Sequence, residues 1–161
     1  MRIIILSIAM MAYVIIPSIL NAEDVCTKAM IVAAVDEAVS ILEKEGKNGL
    51  HKVGEISIGD GVSLFVNDLN GYVLVHENQL LIGINLIGLE DDTGRRFYED
   101  FIETTKSHQT TKEAITYYDG KGWVSYRWPK PGKKDFYQKI TYVRGCLVDG
   151  ANVYVGAGIY E

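Results

Sequence analysis

The chain has three histidines, His51, His76 and His108, as its candidates for proton transfer near neutral pH. They stand far apart in sequence, and none sits in an HExxH, Gly-x-Ser-x-Gly or phosphate-loop pattern. The acidic run Glu90-Asp91-Asp92 lacks EF-hand spacing and reads as a turn that caps the next helix, not as a calcium loop. Spacing therefore supplies no catalytic constellation, no metal site and no cofactor motif. What remains is chemistry of binding. Of the sixteen aromatic residues, ten fall between Tyr117 and Tyr160, and the cations Arg127 and Lys139 sit on neighbouring strands among them. A cation in a partly dry pocket needs an anion. An arginine grips a carboxylate through two parallel hydrogen bonds, whereas a lysine offers a point charge. Tyr72, Trp123, Tyr126 and Tyr142 are large apolar bodies with one polar handle each, suited to a pocket wall and equally to a core. His76 closes a strand, as a structural histidine or as a ligand contact. These residues predict a site for a small, polar, anionic organic molecule.

The elements that must position them follow from periodicity. A helix is predicted from Asp24 to about Glu45, with Val32, Val35, Val39 and Leu42 on one stripe and Ile31, Ala34, Ala38 and Ile41 beside it. Gly46 and Gly49 end it. That broad face serves to cover a sheet, or in part to pair with a second copy as a homodimer. Val62–Asp68, the turn Asp68-Leu69-Asn70-Gly71 and Tyr72–His76 make a hairpin. Residues 77–90 read as a loop, Asp91–Gly94 as a turn, Arg95–Lys106 as a second helix and Ser107–Gly120 as a polar connection. Three aromatic strands close the chain. On the first, Trp123, Ser125 and Arg127 point one way, and Val124, Tyr126 and Trp128 the other. Gly156 and Gly158 share a face with Tyr154 and Tyr160. They leave room there for a ligand or for close packing of the long helix. The order predicts an α+β domain with five antiparallel strands, and their lack of clean apolar–polar alternation predicts that both faces are covered, one by the long helix and the other by the Asp91–Lys106 region.

Residues 1–22 differ from the rest. Arg2, an apolar run from Ile3 to Ile16 and a break at Pro17-Ser18 have the layout of a secretory signal peptide, with an uncleaved anchor as the rival reading. Residues 23–161 then form one domain. Without the leader, 15 Lys+Arg face 21 Asp+Glu, which disfavours nucleic acid as a partner. In an exported chain the two cysteines, Cys26 and Cys146, read as one disulfide.

Taken in order, several runs resemble the single Cache domain family. They are Asn70-Gly71-Tyr72-Val73-Leu74-Val75-His76, Gly83-Ile84-Asn85-Leu86, Asp92-Thr93-Gly94-Arg95 and Gly122 to Gly132. Lys139-Ile140-Thr141-Tyr142-Val143 and Val155 to Tyr160 complete the set. The resemblance covers nearly all of residues 23–161. It implies a PAS-like fold with a long amino-terminal helix and an extracytoplasmic, periplasmic or secreted ligand-sensing role. It implies small organic ligands such as short carboxylates, and Lys139 matches the lysine of the family's Lys-x-x-Tyr-Val run. The sequence departs from the family at His76-Glu77-Asn78, where His-Pro is usual, and in the length of Gln109–Lys121. The expected function is a sensory binding module without catalysis that acts through a membrane-bound receptor or kinase partner. The competing reading is a ligand-free interaction subunit of a membrane complex.

Overall fold

A computed structural model describes residues 26–59 and 62–161. The expected leader over residues 1–22, its cleavage point and the Asp24 cap lie outside the described residues. Helix α1 spans Lys28–Glu45. Thr27 starts it: its hydroxyl accepts from the Met30 N–H at 3.3 Å and satisfies one of the donors a first turn leaves open. Ile31, Val35, Ala38, Val39 and Leu42 recur at helical spacing and are buried. The helix ends at Gly46, whose φ of 60° is left-handed. A short 3₁₀ turn and helix α2, Leu50–Glu55, follow.

Two strands come next, β1 (Phe65–Asp68) and β2 (Val73–Val75), and then helix α3 (Phe97–Lys106). After it run β3 (Gln109–Lys112), β4 (Ile115–Tyr118), β5 (Lys121–Pro129), β6 (Phe136–Val148) and β7 (Ala151–Tyr160). The main sheet has five antiparallel strands in the order β2-β1-β7-β6-β5. Local chemistry sets its turns. The Asp68 carboxylate accepts from the Asn70 and Tyr72 N–H groups at 2.9 and 2.8 Å and folds the β1–β2 turn. Asp149 and Gly150, at φ 47° and 81°, form the tight two-residue turn between the two long strands β6 and β7. The α+β expectation, a long helix on a five-stranded antiparallel sheet, is the architecture the chain adopts.

Alternation divides the sheet into two faces. On the helix face, Trp123, Tyr142 and Ala157 stand side by side across β5, β6 and β7, and α1 packs its aliphatic stripe on this row. On the other face, Tyr126, Lys139 and Tyr160 form one row, with Val124, Thr141 and Gly158 in the next. Helix α3 covers that face with Phe97, Tyr98, Phe101 and Ile102.

Two expectations need correction. Residues 107–120 are not a plain polar connection but carry the β3–β4 hairpin, whose turn residues Glu113 and Ala114 both have positive φ, 51° and 65°. β-Branched and aromatic residues favour these strands. The turn lacks the Asn or Gly that signals such a hairpin in sequence. The second correction is the disulfide: Cys26 and Cys146 are both buried and are not joined. The start of α1 lies beside the chain's last residue, where Lys28 and Glu161 pair at 3.7 Å. Its end lies at the β6–β7 turn, where the Lys47 N–H donates to Asp149 at 2.9 Å. Cys146 pairs with Val153 near that turn, so the two thiols sit toward opposite ends of the helix. That separation is on the order of 20 Å by strand rise, against the ~7 Å between Cα atoms that a disulfide spans. The Cys26 thiol instead contacts the Thr27 carbonyl oxygen at 4.0 Å, and burial pushes the Cys146 thiol up to about 12.

Candidate ligand-binding site

The α3 cover is fastened to β5 by one carboxylate. Asp91 is 7% exposed. Its Oδ1 accepts from the Thr93 and Arg95 N–H groups, at 2.8 and 3.1 Å, and from the Thr93 hydroxyl. Its Oδ2 accepts from the Arg127 N–H on β5 at 3.1 Å. Burial alone would raise the Asp91 pKa, but these hydrogen bonds outweigh it and hold the carboxyl at about 2. Two arginines reinforce the clamp. Arg127 pairs with Asp92 at 3.1 Å. Arg95 pairs with Asp100 and donates to the Ser125 carbonyl, both at 2.6 Å.

Under this cover, a cavity of about 1030 Å³ opens along the second face of the sheet. Its aromatic wall is continuous. Phe97 stacks on Tyr126 with centroids 4.1 Å apart and meets Trp128 edge-on at 5.4 Å. The Tyr126 hydroxyl shares a hydrogen bond with Thr141 at 3.1 Å. Leu86 and Leu89 of the loop before α3 close the far side.

The polar end of the cavity gathers around Lys139. This lysine is half-buried, and its ammonium lies 4.9 Å over the Tyr160 ring. Among the described residues it has no ion pair and no hydrogen bond. Burial lowers its pKa, and the nearby Glu77 carboxylate partly offsets that. Tyr160 is held in place by its own hydroxyl, which donates to the Pro129 carbonyl at 2.6 Å. Lys130 shares the same ring at 5.4 Å, and Lys133 stands at the mouth. Across from them, His76 Nδ1 accepts from the Asn78 N–H at 2.9 Å, which leaves the ring proton on Nε2. Burial lowers the His76 pKa, Glu77 opposes this, and Lys139 adds to it. Glu77 is itself engaged by the Ser63 hydroxyl at 2.6 Å.

Of the residues predicted from sequence, His76, Tyr126 and Lys139 thus meet in one cavity. The other four lie elsewhere. Trp123 and Tyr142 pack on each other at 5.3 Å beneath α1, on the opposite face. Arg127 is exposed and works in the clamp. Tyr72 is 46% exposed beside the short edge strand β2. Sequence reasoning overlooked Trp128, Tyr160, Lys130 and Tyr98. The first two were within reach, because Trp128 shares the parity of Tyr126, and Tyr160 shares that of Gly158. The others depend on how a loop and a helix fold over the sheet.

Deeper on the same face, three buried polar atoms have no hydrogen-bond partner among the described residues: the Asn67 side-chain oxygen and nitrogen and the Tyr154 hydroxyl. Both residues are 0% exposed and are paired directly across β1 and β7. Leaving such a group unpaired costs about 1–3 kcal/mol.

The glycines of β7 face this side, away from α1. Gly158 lines the cavity, and the Thr141 hydroxyl fills the place where its Cβ would stand. Gly156 is not bare, because the Phe65 ring fills the place where its Cβ would stand.

Comparison with known proteins agrees with this fold. Residues 17–161 match the family model described as Cache domain. The chain is similar to a solved periplasmic sensor domain of a chemotaxis protein, at 25% identity and TM-score 0.66, over 82% of this chain and 93% of that one. It shares its fold with a Cache chemosensory domain solved for carboxylic acid recognition, at 24% identity and TM-score 0.64, over 82% of this chain and 91% of that one. A methyl-accepting chemotaxis protein from Vibrio parahaemolyticus RIMD 2210633 has the same fold at 18% identity and TM-score 0.62, over 83% and 87% of the two chains. The family match spans nearly the whole chain, both sheet faces and the cavity included, and this protein belongs to the Cache domain family.

Proposed function

We propose that this chain is an extracytoplasmic sensor domain whose cavity binds a small organic anion, a short carboxylate being the simplest. The observation that carries this reading is Lys139, a half-buried ammonium without a paired carboxylate, at the polar end of an aromatic cavity. An anion placed there would stabilise the charged lysine against the burial that disfavours it. The Nε2–H of His76 and the mouth lysines Lys130 and Lys133 supply further donors. A fold neighbour solved for carboxylic acid recognition is consistent with such a ligand in this architecture. Binding would be passed to a membrane-bound receptor or kinase partner, as befits a domain similar to chemotaxis sensors. Export by a leader over residues 1–22 belongs to the same reading. The mass of the exported chain checks it, and a mass that retains those residues would mean an anchored form.

Calorimetry with a panel of short carboxylates, amino acids and amides tests the site. Lys139→Ala is expected to weaken carboxylate binding at least about tenfold, a loss of about 1.4 kcal/mol. Trp123→Ala, on the opposite face, is the control and leaves the affinity unchanged. Unchanged affinity in Lys139→Ala would place the ligand elsewhere. No binding across the whole panel would favour a ligand-free interaction subunit.

A further inference from the structure

We propose that Asn67 and Tyr154 form a second recognition site, closed off by the Phe65 ring, for a small molecule bearing an uncharged group that both donates and accepts hydrogen bonds. A carboxamide is the simplest such group. The site lies on the cavity face, and along β7 Tyr154 stands about 20 Å from Tyr160, the cross-strand partner of Lys139. It uses residues other than Lys139, so its test is read separately from that of the anion site.

The geometry comes from register. Phe65 pairs with Gly156, and Asn67 pairs with Tyr154. Along β7, Tyr160, Gly158, Gly156 and Tyr154 follow one another on the cavity face. Gly158 lines the cavity, with the Thr141 hydroxyl standing where its Cβ would be. At Gly156 the same place is filled by the Phe65 ring. That ring also lines the cavity, and it touches Tyr154 edge-on with centroids 6.3 Å apart. One aromatic side chain thus separates an open cavity from two wholly buried, unpartnered polar groups. Entry of a ligand to the pair would require this ring to turn aside.

The chemistry of the pair selects the ligand. The Asn67 amide offers two N–H donors and one acceptor, and the Tyr154 hydroxyl offers one donor and two lone pairs. A carboxamide presents the complementary set. Among the described residues neither side chain has a hydrogen-bond partner, and a charged group entering so dry a place would be left uncompensated. Burial pushes the Tyr154 hydroxyl well above the usual range, with Tyr98 and Asp68 adding to the effect, and so it enters the pairing as a neutral donor.

The test uses the full chain with nitrogen-labelled asparagine and follows the Asn67 side-chain NH₂ signal by NMR. Propionamide is the probe and propionate its charged counterpart. Saturable shifts with propionamide, absent with propionate and unchanged in Lys139→Ala, are expected. Tyr154→Phe should weaken propionamide binding at least about tenfold. Its melting temperature should be unchanged or raised, since it loses only an unpaired hydroxyl. Phe65→Ala should strengthen binding by removing the closing ring. The proposal is overturned if propionamide produces no saturable Asn67 shift in wild type or Phe65→Ala. It is equally overturned if Asn67 contacts only an ordered water that the amide does not displace, or if Lys139→Ala abolishes the response.

Discussion

The two faces of the sheet use the same strands for opposite ends. Under α1, Ile31, Val35, Val39, Leu42 and Cys146 meet Val153 and Val155 in close aliphatic packing. Among the described residues a single buried polar atom is stranded there, Arg144 Nε, on a guanidinium that another nitrogen pairs with Asp36 at 2.7 Å. Under α3 the packing is aromatic, interrupted by a large cavity, and holds three buried polar atoms that have no hydrogen-bond partner among the described residues. Apolar packing on one face supplies stability that the other face gives up at its unpaired groups. Functional sites are drawn from the less satisfied part of a fold.

That contrast can be broken most strongly from the helix face. Leu42 is 0% exposed, and Leu42→Ala should destabilise the domain by about 3 kcal/mol, within the usual range for a buried leucine. Denaturant unfolding measures it, and carboxylate affinity of the remaining folded protein should be unchanged. A loss of affinity would mean that the two faces are coupled.

A smaller effect is expected on the cavity side, at the clamp. Asp91→Asn keeps the shape but exchanges a charged acceptor for a neutral amide, which should cost about 2 kcal/mol. The same carboxylate sharpens the comparison through pH. Its folded pKa lies at about 2 against an ordinary 3.8, so the stability it contributes is present above 3.8. That stability is lost as pH falls from 3.8 through about 2. Wild type should therefore lose stability across that window more steeply than Asp91→Asn. Parallel acid curves for the two proteins would show that the clamp does not hold the cover.

Local signals made much of this molecule legible in advance. Helical spacing of Ile31, Val35 and Leu42 marks α1, and the Asp68–Gly71 turn and the strand alternation mark the sheet. Those features depend on neighbours in sequence: backbone hydrogen bonds, turn conformations and the period of side-chain direction. The α+β class follows from the order of elements, and the two covers from the lack of clean apolar–polar alternation along the strands. Tertiary structure alone decided which face became the cavity. Alternation places Trp123 opposite Tyr126 but does not say which of them meets α1. Only docking of α1 on the row containing Tyr142 does so. The same docking separates Cys26 from Cys146, because a helix laid along β6 keeps its two ends apart. Arg127 has the chemistry of an anion ligand, but Asp91 and Asp92 fold back over β5 and occupy its backbone N–H and side chain. Lys139 is left with an aromatic neighbour and, among the described residues, no ion pair. A side chain's chemistry is set by its type, and its availability is set by the partners that distant segments bring to it.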